Sequence, residues 1–439
     1  MADVTVLGAG GATVTISLTS ADNAAAAQSA VNVVNNLNNL GLLDMQEVAG
    51  AGTTPAATNF LGGLMLTGSG FSDDTGAQYI FVGQNSPGSN LVLGGANFRT
   101  VVVAGDGSDL TYANLSQNAQ VFYGKNNGAF VNYSGNMTVA TEDGDYLLAS
   151  DVDTNTTVNL GAGAGLNILD VGNGLGATTV NAAGNATINT FGSSPTVSAL
   201  TNINLTSGNV DVAVVSASAI INPGAANVLI LGDADGSATL FGGTGSATVG
   251  GVKGMFTGGS AGDNDMITST VSGSTTMIGG AAVGAPADFL LAQGSGNTLQ
   301  NGAGEGLLIS LDGKFGATGG NIFNLGSGQA TVFSAFGGNT FNFNGDGGAQ
   351  VQTRFDLSTT TANRFFDFGG EGDYSIDGFI TDVDTFEVGA VFSIGFVAAE
   401  TPSGQDVTIL NILNGASYFF FDDTPDGVAD IKESDVTIR

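Results

Sequence analysis

From about residue 55 onward, short apolar runs alternate with Gly, Asn and Asp, as at Tyr79–Val82, Leu91–Leu93, Thr100–Ala104 and Gln120–Tyr123. β-branched residues dominate these runs, which predicts short strands separated by tight turns. Upstream, Val4–Leu7 and Ala12–Leu18 alternate apolar residues with Thr and Ser, and Gly8-Ala9-Gly10-Gly11 turns between them. Between residues 20 and 42 the period changes. Ala27, Val31, Val34 and Leu37 fall at helical spacing, Asp22 sits near the positive end, and Gly41 supplies a stop. This segment is dense in asparagine (Asn32, Asn35, Asn36, Asn38, Asn39). Its intrinsic helix propensity is poor, so packing must hold it.

A repeat runs through residues 150–210. Thr157-Val158-Asn159-Leu160 recurs as Thr179-Val180-Asn181-Ala182 and as Asn202-Ile203-Asn204-Leu205, in steps of 22 and 23 residues. Such a period matches one coil of a parallel solenoid. Stacked Asn and Thr would then ladder their hydrogen bonds while the residue between them points into the core. A shorter step of nine residues links the segments beginning at Gly319, Gly328 and Gly337. The expected fold is an all-β solenoid with a strand-helix segment at residues 1–50, Gly/Asn/Thr-rich coils over 51–350 and a β cap over 351–439. The cap is expected from aromatic density at Phe355, Phe365, Phe366, Phe368, Phe379, Phe386 and Phe392. Length alone would give two or three ordinary domains, a count that a one-dimensional stack overrides.

Composition narrows the chemistry. The 439 residues include no histidine, cysteine or tryptophan, so Ser-His and Cys-His nucleophile pairs, ordinary zinc sites and histidine proton shuttles are excluded. Eight Lys+Arg against 39 Asp+Glu give a formal charge of −31, and the first basic residue is Arg99. That balance argues against nucleic acid and anionic membranes as partners, and suits a chain whose self-repulsion is relieved by divalent cations. No apolar run is long enough for a membrane-spanning helix. The opening residues lack the basic and apolar regions of a secretory signal peptide, so the chain is expected to be cytosolic, to leave by a route that reads another signal, or to have had its signal removed.

Asp422 to Glu433 fits the twelve-residue calcium loop. Asp422, Thr424, Asp426, Val428 (through its carbonyl), Asp430 and Glu433 take the ligand positions, with Gly427 at the sharp turn. An acidic β-turn closing a hairpin is the competing reading. Weaker acidic groups are Asp73-Asp74, Asp106/Asp109, Glu142-Asp143/Asp145, Asp151/Asp153, Asp233/Asp235, Asp263/Asp265 and Asp382/Asp384, each read as a solvated turn before a cation site. Gly8 to Thr13 imitates a dinucleotide fingerprint but lacks its third glycine, and the residues after it alternate like a strand. Paired carboxylates raise glycoside hydrolysis, and Gly/Asn-rich coils resemble pectin-cleaving β-helix enzymes. Those enzymes bring His, Lys or Arg to the cleft, and this chain has almost none.

The C-terminal third resembles the calcium-binding repeat (RTX-like) region of bacterial proteins exported by type I secretion. The carriers are Gly337-Gly338-Asn339-Thr340-Phe341-Asn342-Phe343-Asn344-Gly345, Gly369-Gly370-Glu371-Gly372-Asp373-Tyr374, Ile380 to Phe386, and the segment Tyr418 to Ile438 with its Asp-Gly-Val-Ala-Asp ending. Asn324 and Asn342 stand where the family's nonapeptide has aspartate. The resemblance implies a β-roll, bound Ca2+ and a C-terminal export signal. With no protease or lipase motif present, it implies the surface-layer, matrix or adhesin branch. The expectation is a non-enzymatic, secreted, calcium-aided structural protein that self-assembles into a fibre, surface layer or biofilm matrix at the cell surface. Its copies would pair through solenoid ends and the strands at 4–18. The alternative is a monomeric adhesin for a surface polysaccharide.

Overall fold

The computed structural model describes residues 2–7, 13–48, 61–66, 72–73, 78–82, 90–93, 100–107, 110–125, 128–151, 154–170, 177–192, 200–260, 265–269, 275–281, 288–311, 320–335, 338–343, 348–353, 362–367, 373–377, 379–380, 383–388, 394–400, 406–412, 417–421, 431 and 435–438. The chain is a β-solenoid: among the described residues, apart from one helix and one hairpin near the N-terminus and an antiparallel meander near the C-terminus, the regular elements are short strands stacked in parallel sheets. Two units are distinguished, residues 1–221 and 222–439.

In the first unit, strands from Leu43–Val48 through Asn118–Tyr123, Asn155–Leu160 and Ala177–Ala182 to Leu200–Leu205 form parallel sheet A. Strands from Ser72–Asp73 through Leu110–Asn114 and Gly165–Asp170 to Asn209–Val215 form parallel sheet B. The repeat lies in register as expected. Val158, Val180 and Ile203 stack as one fully buried column. Beside them Asn181 Nδ2 donates to Asn159 Oδ1 at 2.9 Å, and Asn204 Nδ2 donates to Asn181 Oδ1 at 3.0 Å.

The helix runs Ala21–Asn39. Ser20 caps its start by accepting from the Asn23 N–H, and Gly41 (φ +68°) ends it. There Gly41 N–H donates to Asn38 O and Leu42 N–H to Leu37 O, the pairing of a glycine-terminated helix. Its Ala24, Ala27, Val31 and Val34 are buried together with Val4, Val6, Ile16 and Leu18 of the antiparallel hairpin Ala2–Leu7/Thr13–Leu18. The same cluster takes in Met45, Met65, Phe81, Val101, Val103 and Phe122. Strand alternation puts these last six on the outer side of sheet A, opposite the buried Leu64, Ile80, Val102 and Val121. Helix and hairpin therefore form a layer against the outside of the first coils. Beyond that layer the outer positions become Thr138, Thr157, Asn159, Thr179 and Asn181.

In the second unit, strands from Ser237–Leu240 to Val436–Ile438 form parallel sheet C. Strands from Asn227–Gly232 to Ser417–Phe421 form parallel sheet D. The nine-residue step is half a coil: Phe323 and Phe341 stack 18 residues apart in sheet C, while Val332 between them belongs to sheet D. Parallel coils continue through Thr385–Val388, inside the stretch expected to cap the solenoid. The departure from parallel pairing is the meander Ile394–Glu400, Asp406–Ile412, Ser417–Phe421. Of the aromatic residues noted there, Phe365, Phe379 and Phe386 are buried in the core, while Phe355, Phe368 and Phe392 lie outside the described residues. Phe323, Phe341 and Phe365 stack at 4.9 Å centroid steps, and Tyr374 stacks on Tyr418 at 4.9 Å.

A buried polar column runs along one corner of this unit. The backbone N–H groups of Asn297, Asn321 and Asn339 donate to Oδ1 of Asn321, Asn339 and Asn363 at 2.8, 3.0 and 2.9 Å. Asn363 N–H donates in turn to Asp384 Oδ1 at 2.7 Å. Each side chain supplies the acceptor that a corner N–H cannot find in the sheet ladders.

Candidate functional site: the outer faces of the coils

The calcium-loop residues Asp422, Thr424, Asp426, Val428, Asp430 and Glu433 lie outside the described residues, as do Gly8 to Gly11. Thr13–Leu18, which follows that turn, is a strand and not the helix a dinucleotide site needs. Among the described residues no group of three or more Asp or Glu is placed to hold a metal ion, and no helix is long and apolar enough to cross a membrane.

Asp265 and Asp384, read as solvated turns, are instead buried acceptors, and so is Asp288, which sequence reasoning did not single out. Asp265, 1% exposed, receives the N–H groups of Ala247 and Gly259 at 2.7 and 2.6 Å. Asp288 receives Asp265 N–H at 3.3 Å and the Gly280 N–H, and burial still raises its pKa above the ordinary carboxylate value. Asp384 receives both Asn363 N–H and Ile380 N–H.

Asp106, Glu142 and Asp143 gather near one surface of the first unit, where Asp106 and Glu142 bind the N-terminal layer. Glu142, 4% exposed, receives Thr19 N–H at 2.8 Å and Ser20 N–H at 2.7 Å. Burial raises its pKa, the two N–H donors lower it, and Asp106 raises it again; the sum is upward. Asp106 receives Thr19 Oγ1–H and Lys125 N–H, and Lys125 Nζ pairs with Asp143 at 3.0 Å.

One of the two hairpin edges expected to be open, that of Ala2–Leu7, is occupied by the helix. Thr5 N–H donates to Gln28 Oε1 at 3.0 Å and Leu7 N–H to Asn35 Oδ1 at 2.9 Å. Asn35 Nδ2 and Asn38 Nδ2 donate back to Thr5 O and Leu7 O, each at 3.1 Å. Helix amides stand in for a neighbouring strand and close that edge, which gives the asparagine-rich helix its purpose.

Sheet D carries the feature that sequence reasoning missed. Its inner column is Ile267, Leu290, Leu308, Val332, Val351, Ile376 and Phe420, each 2% exposed or less. The outer positions beside it are apolar too. Met266, Phe289 and Leu307 stack in one column, and Leu291, Ile309 and Phe333 in the next. Met266 is 47% exposed and the other five are half-buried. Of the outer positions in these four coils, the remaining two are Thr268 and Thr331, so the patch bears no charge. Apolar residues of both parities, as in Phe289-Leu290-Leu291 and Leu307-Leu308-Ile309, were the signal for a strand covered on both faces.

Past Phe333 the outer columns turn polar, with Gln350 and Gln352, then Ser375 and Asp377, before Phe419 and Phe421. The step down in side-chain bulk between Phe333 and Phe421 leaves an open groove of about 380 Å3. No family model matches this sequence, and no curated protein or solved structure matches it either.

Proposed function

We propose that this protein is a self-assembling structural protein, working outside the cell as a fibre, surface layer or matrix, whose copies meet through the outer apolar columns of sheet D. The observation that carries this reading is the uncharged patch Met266, Phe289, Leu291, Leu307, Ile309, Phe333 on a chain of formal charge −31. Two such chains repel over most of their surface, and at this patch they meet without bringing like charges together. The columns repeat at the ~4.8 Å strand spacing, so a second copy offers side chains at matching intervals, and two sheets pack about 10 Å apart. Calcium at the Asp422–Glu433 loop would offset the remaining repulsion, in keeping with the loop's spacing and the resemblance to calcium-binding repeat proteins. Removal of Cys and His from the repertoire agrees with a material and not a catalyst.

Sedimentation velocity and negative-stain microscopy of the full chain, with and without millimolar calcium, test this. Wild type is expected to assemble, while Phe289→Glu and Leu307→Glu stay monomeric with an unchanged β spectrum. Wild type that remains monomeric at every concentration and calcium level, or variants that assemble as well as wild type, would overturn it.

A further inference from the structure

We propose that the groove bounded by Phe333 and Phe421 is a binding site for a single chain of an uncharged polysaccharide. The site adjoins the assembly face and shares Phe333 with it, while its polar floor lies outside that face. Its walls are Phe333 on the coil Ala330–Ser334 and Phe421 on the strand Ser417–Phe421; its floor is Gln350, Gln352, Ser375 and Asp377 on the two coils between. The walls are three strand spacings apart, about 14 Å, and the trough runs along the strand direction. Its volume of about 380 Å3 lies in the range of small-ligand clefts.

The lining chemistry selects a sugar. Aromatic side chains offer apolar surface to the C–H faces of a pyranose ring. The two glutamine amides each supply donors and an acceptor, the serine hydroxyl does both, and the carboxylate accepts from sugar hydroxyls with a charge-assisted bond. An apolar peptide would leave these four polar groups facing carbon. An acidic glycan would bring its carboxylates against Asp377 in a chain of charge −31, with no Lys or Arg among the described lining residues. A neutral, hydroxyl-rich chain meets neither obstacle. Strand pairing fixes the backbone positions of the six residues before binding, which limits the entropy lost when the ligand docks.

Affinity electrophoresis of the full chain through gels containing neutral polysaccharides (a β-glucan, a xylan, a mannan), with polygalacturonate as the acidic control, tests the site. Calorimetry with the corresponding hexasaccharides gives the affinity. Retardation is expected in at least one neutral gel and not in the acidic one. Gln352→Ala and the near-isosteric Asp377→Asn should each weaken hexasaccharide binding about tenfold, the value of one lost hydrogen bond to a charged or well-placed partner. Phe289→Glu, outside the groove, should bind as wild type, which separates this site from the assembly face. No retardation in any neutral gel, retention by polygalacturonate, or binding unaffected by both groove variants would each refute the proposal.

Discussion

The buried asparagine column of the second unit makes a quantitative prediction when set against the exposed asparagine ladder of the first. Asn339 is fully buried; its Oδ1 takes the Asn321 N–H at 3.0 Å and its Nδ2 donates to Ser334 Oγ at 2.7 Å. Asn339→Ala removes both bonds. The Asn321 N–H is left in the interior without its acceptor, which costs about 1–3 kcal/mol, and the second lost bond adds roughly 1 kcal/mol, for a total of about 2–4 kcal/mol. Asn159 also accepts a side-chain bond from its neighbour, at 2.9 Å, but is exposed. In Asn159→Ala, water replaces the lost acceptor for Asn181, and the cost should stay within about 0.5 kcal/mol. Hydrogen exchange reads the difference locally. Protection of the Asn321 amide should fall by a factor of roughly thirty to a thousand in Asn339→Ala, while protection of amides around Asn181 in Asn159→Ala falls by less than about threefold. Urea unfolding of both proteins gives the global counterpart. Equal losses in the two variants, or a loss under about 1 kcal/mol for Asn339→Ala, would show that burial does not set the worth of these ladders.

Because burial raises the Glu142 pKa, the docked N-terminal layer favours the protonated carboxyl. The contribution is complete below the ordinary glutamate value of 4.5 and is lost as pH rises through the folded value. Exchange protection over Thr19–Asn39, corrected for intrinsic rates, should therefore vary less with pH in Glu142→Gln than in wild type; an unchanged profile would refute the role given to Glu142. Two glycines with positive φ should respond differently to alanine. At Gly254 (φ +142°) the new Cβ would fall on the carbonyl oxygen of Ala238 in the paired strand, so Gly254→Ala should cost about 3 kcal/mol or more. Gly320→Ala (φ +97°), with open space around it, should cost only backbone strain of about 1–2 kcal/mol in thermal melts.

How much of this was legible depends on which groups repeat. Coils were readable at residues 157–205 because the same apolar residue returns to the core, and its flanking Asn or Thr to the surface, after nearly constant intervals. The buried corner column was not readable, because its members are separated by 24, 18, 24 and 21 residues. Turn lengths vary from coil to coil, and only the strands restore register, so a corner residue keeps its place in space while losing its period in sequence. Helix bounds were legible from periodicity and Gly41. The use of Asn35 and Asn38 was not, since side-chain pairing to the edge of Ala2–Leu7 depends on how the helix lies on the hairpin. The acidic pairs misled for a related reason: a turn aspartate is ordinarily solvated, but a coil corner presents buried N–H groups that a carboxylate satisfies.

The first unit supplies a rule for reading the second. Where sheet A turns Met45, Met65, Phe81, Val101, Val103 and Phe122 outward, the helix and hairpin cover them; where that cover ends, the outer positions become Thr and Asn. On sheet A, apolar outer columns and a covering layer occur together. Sheet D repeats the apolar half of that arrangement at Met266, Phe289, Leu291, Leu307, Ile309 and Phe333, of which Met266 is exposed and the other five are half-buried. Random surface drift would scatter single apolar residues, which need no explanation. Six of eight adjacent outer positions, on four consecutive coils, are a face that gains from being covered. A neighbouring copy is the occupant this chemistry favours, because it brings an equally uncharged surface with the same spacing, whereas a cationic partner would be drawn to the acidic remainder of the chain.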